Sequence, residues 1–180
     1  VDQSDIVIDA MSGVSGAGRG VAEALQFGSV DESVRAYKVL EHRHQPEIER
    51  AIDASLDGAA PSSVLFTPHL VPMQRGLLAT THLHARDGVD LADLEQAIDT
   101  AYEGSAFVRR IAKPPETRWL VGSNNALISV HRDGRSDRVI VITAIDNLVK
   151  GAAGGAIQWV NRLAGWPDSE GLVIAPAGWV

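Results

Sequence analysis

The sequence predicts an α+β fold, built from one mixed, mostly antiparallel sheet with helices against one face. Short apolar segments of strand length recur along the chain and are separated by turn residues. Two of these segments, residues 126–131 and 139–145, flank Asp133-Gly134-Arg135 and predict an antiparallel hairpin. Strands followed by helices, together with hairpins, are typical of the α+β class. The other face of the sheet then needs a cover, for which a partner subunit is a reasonable candidate.

Strands in the first half are expected at four apolar runs bounded by polar or turn residues. They lie at residues 6–8, 34–40, 64–66 and 76–85. The last run alternates, which places Leu77, Ala79, Thr81, Leu83 and Ala85 on one face and Leu78, Thr80, His82 and His84 on the other.

A helix is expected to begin near Pro46, since proline suits the first turn. Glu47 then lies at the positive end of the helix dipole. Apolar residues recur at helical spacing from Ile48 onward. His42 and His44 therefore lie in the segment that leads into this helix, on the same side if that segment is extended.

The second half predicts two further helices. Asp90 caps a helix from residue 91 to about 102, and a short strand is expected at residues 107–108. The last helix runs from about residue 148 to 163, where Gly165-Trp166-Pro167 ends it. The tail after this helix is expected to be irregular.

Composition excludes several classes of protein. The chain has 180 residues, 45% hydrophobic and 22% charged, with a net charge of -7, which favours one folded domain and argues against a nucleic-acid or anionic-membrane surface. No apolar run has membrane-spanning length, and the start lacks signal-peptide features. The absence of cysteine rules out disulfides and thiolate zinc sites and fits a cytoplasmic location. Because it lacks an initiator Met, we expect the chain to begin inside a longer protein or to have been processed.

A glycine-rich loop follows the first strand. Gly13 and Gly18 have the spacing of a phosphate-binding loop, but Arg19 and Gly20 replace its Lys and its Ser or Thr. The dinucleotide-binding fingerprint also fails, because Val21 occupies its third glycine position. The free N–H groups, hydroxyls and one Arg that remain suit a carboxylate or phosphate. An ordinary strand-to-helix turn explains the loop equally well.

The segment His42-Arg43-His44-Gln45-Pro46-Glu47-Ile48 carries the second candidate site. A histidine near neutral pKa suits general acid–base work, and Glu47 is close enough in sequence to orient either ring. The simpler interpretation is a solvated segment before a helix.

A metal site is the third interpretation, because His82 and His84 repeat the spacing of His42 and His44. Alternate strand positions can both face a metal, and Glu47 adds an oxygen ligand. Nothing in the sequence marks a carboxylate that would support such ligands, so no metal ligand is expected. His69 and His131 are expected to be hydrogen-bonded or at the surface.

Five segments, in this order, resemble the family of N-acetyl-gamma-glutamyl-phosphate reductases, enzymes of arginine biosynthesis. The match spans nearly the whole chain, and five ordered blocks are far more specific than one. They are residues 9–19 (DAMSGVSGAGR), 42–48 (HRHQPEI), 66–76 (FTPHLVPMQRG), 122–124 (GSN) and 146–154 (DNLVKGAAG).

The resemblance implies a fold like the C-terminal domain of glyceraldehyde-3-phosphate dehydrogenase. Residues 1–147 would form a substrate-binding and dimerisation domain, and residues 148–180 a helix and tail that pack on a Rossmann domain absent from this chain. It also implies NADP as the cofactor, N-acetyl-glutamyl phosphate as the substrate, and a homo-oligomer, either a dimer or a tetramer. The product would be N-acetyl-glutamate semialdehyde.

The resemblance also implies residue roles. His42 matches the acid–base partner of a nucleophilic Cys on the absent part, and His44 and Glu47 support it. In the family, a loop lies beside the substrate, and the residues of this chain that match it are Ser12, Gly13, Ser15 and Arg19. Asn147 matches a strand-end position that faces the nicotinamide.

Two departures from the family pattern stand out, at Met11, where the family commonly has Lys, and at Gly155, where it commonly has Gln. Without a cysteine the chain alone is expected to be inactive, since no local residue replaces a thiolate. A non-catalytic assembly or binding module and a His-x-His metal-binding protein are the competing interpretations.

Overall fold

The computed structural model describes residues 1–18, 20, 22–55 and 61–175. Within them, seven strands form one mixed sheet in the order β2-β3-β1-β4-β7-β6-β5. The β1–β3 and β5–β6 pairs are parallel, and the other four neighbouring pairs are antiparallel. The strands are β1 (Asp2–Gly13), β2 (Arg35–Ala36), β3 (Val64–Val71), β4 (Leu77–His84), β5 (Val108–Arg110), β6 (Ala126–Arg132) and β7 (Arg138–Ile145).

Four α-helices accompany the sheet in the described residues. They are α1 (Phe27–Val30), α2 (Gln45–Ala54), α3 (Leu91–Ala101) and α4 (Gly154–Leu163). Asp90 begins α3 with a capping box, in which its carboxylate accepts from the Asp93 N–H and the Asp93 carboxylate accepts from the Asp90 N–H. Pro46 occupies the first turn of α2, as its lack of an N–H favours.

Helices α2 and α3 pack on the same face of the sheet. Ile48 and Ile52 of α2 cover a cluster formed by Ile6, Ala10, Val64 and Phe66. Leu94 and Ile98 of α3 cover a second cluster formed by Ala85, Val130 and Val139. Because strand residues alternate between faces, the register of β1, β3, β4, β6 and β7 places these core residues on one side. The predicted mixed sheet with helices on one face is confirmed.

The opposite face of the sheet, which we call the open face, carries the other residue of each alternating pair. His82 of β4 lies between Val7 of β1 and Ile140 of β7, and Ile140 pairs in turn with His131. These side chains are only partly buried, and Met11 and Leu65 on the same face are 43% and 46% exposed.

Three local predictions differ from the structure. The strand expected at residues 34–40 is confined to Arg35–Ala36. Lys38 and Leu40 adopt positive φ, a backbone conformation that does not fit in a β-strand. Strands β1 and β3 extend beyond the short runs expected, since their parallel pairing continues to Gly13 and Val71. The last helix opens with one turn of π-helix, Val149–Ala153, before α4.

In the described residues, no helix combines the length and apolarity that crossing a membrane requires.

Candidate active site

One edge of the sheet gathers the ends of several strands. Strands β1 and β3 run parallel, and β4 runs against β1 and against β7. The carboxyl ends of β1, β3 and β7 therefore meet the start of β4 at the same edge. The glycine loop after β1, the turn after β3 and the Asp146-Asn147 pair after β7 lie there together.

The glycine loop is bound to the turn at residues 72–76 by its backbone. The N–H groups of Gly13 and Val14 donate to the carbonyls of Gly76 and Met73, each at 2.9 Å, and a third bond continues the pattern at Ser15. A Cβ at Gly13 would lie 2.9 Å from the Met73 carbonyl oxygen, so only glycine allows this approach. The shape of the loop is therefore set by the turn beneath it.

Asn147 joins the loop to the same turn through both ends of its amide. Its Nδ2 donates to Ser15 Oγ at 2.9 Å, and its Oδ1 accepts from the Gly76 N–H at 2.8 Å. Ser15 Oγ in turn donates to the Gln74 carbonyl at 2.5 Å. A Cβ at Gly16 would lie 3.0 Å from Ser12 Oγ and 3.3 Å from Asn147 Nδ2. Gly16 therefore passes close to Ser12 and Asn147, and the hydrogen bond between Ser15 and Asn147 joins the loop to the end of β7.

Asp146 is the buried charge of this edge. Its side chain has no exposed area and accepts from Arg75 Nη2 at 2.7 and 2.8 Å. The N–H groups of Gly122, Leu148 and Val149 donate to it at 2.7, 2.8 and 2.9 Å. Burial would raise the pKa of Asp146, but the hydrogen bonds from Gly122, Arg75, Val149 and Leu148 outweigh it and hold the pKa below its ordinary value. The carboxylate is therefore ionised at neutral pH.

His42 lies over the helix-covered face, in an aromatic group. Its ring makes edge contacts with Phe66, Tyr37 and His44, with centroid distances of 5.2, 5.7 and 4.8 Å. The segment before α2 is a turn rather than an extended strand, since His44 has φ -83° and ψ -12°. The rings of His42 and His44 are therefore close because the chain turns between them, and not because they share one side of an extended segment.

The electrostatics of His42 favour a neutral ring. Burial lowers its pKa, His44, Lys38 and Arg43 lower it further, and Glu47 opposes them. The His44 N–H donates to His42 Nδ1 at 3.3 Å. This bond assigns the proton of the neutral ring to Nε2, which is then free to donate it.

The predicted site residues form two groups in the structure. Ser12, Gly13, Ser15 and Asn147 lie at the sheet edge, whereas His42, His44 and Glu47 lie before and in the first turn of α2. Among the described residues, no hydrogen bond or ring contact joins the groups directly. Phe66, beneath His42, pairs with Ile8, four residues before Ser12, which corresponds to roughly 13 Å along the strand. Arg19 lies outside the described residues.

The other histidines are His69, His82, His84 and His131. Within the part of the chain that the structure describes, no three His, Asp or Glu side chains are grouped to hold a metal ion. His84 instead pairs with Asp137 at 2.8 Å and Asp5 at 3.3 Å. His131 is hydrogen-bonded to Ser129, as expected, but Nδ1 of His69 is buried without a partner, which the sequence did not indicate.

Sequence reasoning assigned no role to Asp146 or Arg75. Both stand in segments that carried the family resemblance, and the signal available was a carboxylate at the end of an apolar strand. A buried charge needs a partner, but Arg75 is 71 positions from Asp146 in the sequence, so the pairing is visible only in the fold.

The fold and site define a domain of the semialdehyde dehydrogenase type. A family model described as "Semialdehyde dehydrogenase, dimerisation domain" matches residues 1–147, and the chain belongs to this family. The structure of aspartate semialdehyde dehydrogenase II from Vibrio cholerae superposes with a TM-score of 0.64 at 20% identity, covering 89% of this chain and 54% of that one. At that identity, the likeness shows the shared fold.

Two curated relatives are much more similar in sequence than that solved structure. An N-acetyl-gamma-glutamyl-phosphate reductase from Lachnospira eligens is 47% identical over 178 residues, which is 98% of this chain and 51% of the relative. One from Rhodospirillum rubrum is 48% identical over 174 residues, 96% of this chain and 49% of the relative. The chain therefore spans about half the length of these relatives.

Proposed function

We propose that this chain is the substrate-binding and dimerisation part of an NADP-dependent N-acetyl-gamma-glutamyl-phosphate reductase. The contact between Ser15 and Asn147 carries the proposal, because it joins the loop assigned to the substrate to the strand end assigned to the nicotinamide. Similarity to reductases along almost the whole chain supports it. Residues 1–147 form the proposed domain. The helix and tail at residues 148–180, of which the structure describes 148–175, pack on a nucleotide-binding part.

The glycine loop binds the anionic substrate in this proposal. Ser12 and Ser15 supply hydroxyls, which would turn from the Gly13 and Gln74 carbonyls to donate to the anion. Arg19 supplies a guanidinium that suits a carboxylate or phosphate. Asn147 Nδ2 keeps one hydrogen beyond the bond to Ser15, and this hydrogen is suited to a nicotinamide amide oxygen.

His42 moves the proton of the reaction. A thiolate from the nucleotide-binding part forms a bond to the acyl carbon as the bond to phosphate breaks, and this yields a thioester. When bound, the nicotinamide supplies a hydride to the thioester carbon. His42 Nε2 donates its proton to the oxygen that becomes negative, and takes one back as the carbon–sulfur bond breaks to release the aldehyde and the thiolate. His44 fixes the tautomer through its N–H, and Glu47 supports the charged ring.

The test uses the complete enzyme, in which this chain follows the nucleotide-binding part. We expect phosphate-dependent oxidation of N-acetyl-glutamate semialdehyde, followed as NADPH absorbance. His42→Asn should lower kcat by about 10²–10⁴, because proton transfer is lost. His84→Asn, at the far end of β4, is the matched control and should retain kcat.

Two outcomes would overturn the proposal. A complete wild-type enzyme without this activity would leave a non-catalytic assembly module as the better interpretation. Equal kcat in His42→Asn and wild type would remove His42 from the chemistry. Comparing the rates with NADP and with NAD as the oxidant tests the cofactor preference.

A further inference from the structure

Asp146 and Asn147 hold two consecutive residues of the turn before β4. The Asp146 carboxylate binds the Arg75 guanidinium, and the Asn147 Oδ1 accepts from the N–H of the next residue, Gly76. Neighbouring positions at the end of one strand thus bind neighbouring positions at the start of another. This double contact restrains the turn in position and in rotation.

The turn transmits that restraint to the glycine loop. The carbonyls of Met73, Gln74 and Gly76 accept the N–H groups of the loop from Gly13 to Ser15. The Gln74 carbonyl also accepts from Ser15 Oγ. In every described hydrogen bond between the loop and the turn, the acceptor is therefore a carbonyl within two residues of Arg75.

The ion pair is built more firmly than a surface pair. Asp146 has no exposed side-chain area, and the Arg75 side chain is 31% exposed. Three backbone N–H groups complete the solvation of the carboxylate. Because those three donors remain, the fold is expected to tolerate loss of Arg75, and the effect of the guanidinium on the loop can be measured separately.

We infer that Arg75 and Asp146 are positioning residues for the substrate loop, which they hold through the turn at residues 72–76 without touching substrate themselves. The inference rests on the proposed function, since it assigns these residues to the loop that binds the substrate. Loss of the guanidinium loosens the loop and weakens substrate binding, while the proton transfer by His42 is left intact.

The experiment compares Arg75→Gln and Arg75→Ala with wild type in the complete enzyme. We expect KM for the semialdehyde to rise about tenfold with kcat within about threefold of wild type, the pattern of lost substrate binding. Added guanidinium chloride at millimolar concentration should lower the KM of Arg75→Ala, whereas equal sodium chloride should not. Arg135→Gln is the control, because Arg135 lies in the β6–β7 turn with 92% of its side chain exposed and pairs only locally with Asp133.

The outcomes separate this inference from the proposed function. A wild-type enzyme without activity refutes the proposed function. An active wild type whose Arg75→Gln variant keeps its KM, or whose kcat and KM change together without guanidinium rescue, refutes the positioning role. Thermal unfolding of each variant identifies any that fails to fold, in which case Arg75→Lys, which keeps the charge, supplies the comparison.

Discussion

At the residue scale, Asp146 and Asn147 are neighbours at the sheet edge with different chemical roles. Asp146 is a buried charge whose five short hydrogen bonds hold a carboxylate in place. Asn147, its neighbour, is neutral and uses one donor and one acceptor to link the loop with the turn. A carboxylate at position 147 could not donate to Ser15 Oγ, and an amide at position 146 could not match the Arg75 charge. The order Asp-Asn is therefore the chemically required one.

Asp146 gives the stability of the chain a defined pH dependence. Its folded pKa lies below the ordinary value of 3.8, so the unfolded chain binds the proton more readily. The stabilisation is complete above the unfolded pKa and is lost as pH falls through the folded pKa. We expect Asp146→Asn to be less stable by about 2 kcal/mol at neutral pH, with a difference that shrinks below pH 3.8.

Urea unfolding of both proteins across this pH range measures the difference. The matched control is Asp87→Asn, a change at an exposed position in the turn after β4. A difference that stays constant as the pH falls would show that the charge of Asp146 contributes nothing.

At the scale of elements, the turn of π-helix before α4 is the least regular part of the site. It begins at Val149, two residues after Asn147, and its wider turn allows the Gly151 N–H to reach the Asp146 carbonyl at 3.0 Å. Gly154, at the junction with α4, is buried against Asn124 and Val149. A Cβ at Gly155 would likewise lie close to backbone, 2.8 Å from the Lys150 carbonyl oxygen. The departure from Gln at this position is therefore compatible with the local packing.

Gly154→Ala tests this packing. The added Cβ would meet Asn124 Oδ1 and would lie 2.9 Å from the Val149 carbonyl oxygen. Since overpacking of this kind usually costs about 1–3 kcal/mol, we expect a loss of that size in the free energy of unfolding.

Denaturant unfolding measures the loss, with Gly134→Ala as the control. Gly134 lies in the β6–β7 turn, and a Cβ added there would have no atom within 4 Å, so its substitution should change stability little. Equal stability of the two variants would contradict the packing described here.

At the scale of the whole molecule, the two faces of the sheet differ in what covers them among the described residues. Helices α2 and α3 bury the face that holds both apolar clusters. The open face keeps partly exposed side chains on the central strands, including Ile140 and Ile142 of β7. Apolar side chains that stay partly exposed on one face favour an interaction site there. A second copy of the chain is the partner we propose for it, in agreement with the expected homo-oligomer.

Ile142→Glu places a charge in the middle of the open face. Because a buried charge without a partner is costly, we expect the variant to sediment as a monomer where wild type sediments as a dimer or tetramer. Leu91→Glu is the control, since Leu91 is 39% exposed at the start of α3, on the helix-covered side. An Ile142→Glu variant that keeps the wild-type sedimentation coefficient would contradict the proposed interface.

The amino-acid sequence alone is enough to predict the class of the fold and most of its elements. Alternation identified the two faces of β4, the cap at Asp90 located α3, and the turn at Asp133-Gly134-Arg135 located the hairpin, because each depends on residues close in sequence. It also named Ser12, Ser15 and Asn147 as site candidates. The three-dimensional fold shows that Ser15 and Asn147 are hydrogen-bonded, that Arg75 is the partner of Asp146, and that the histidine segment is a turn. Those contacts join residues up to 132 positions apart, and no local pattern encodes which distant group will satisfy a buried hydroxyl, amide or carboxylate.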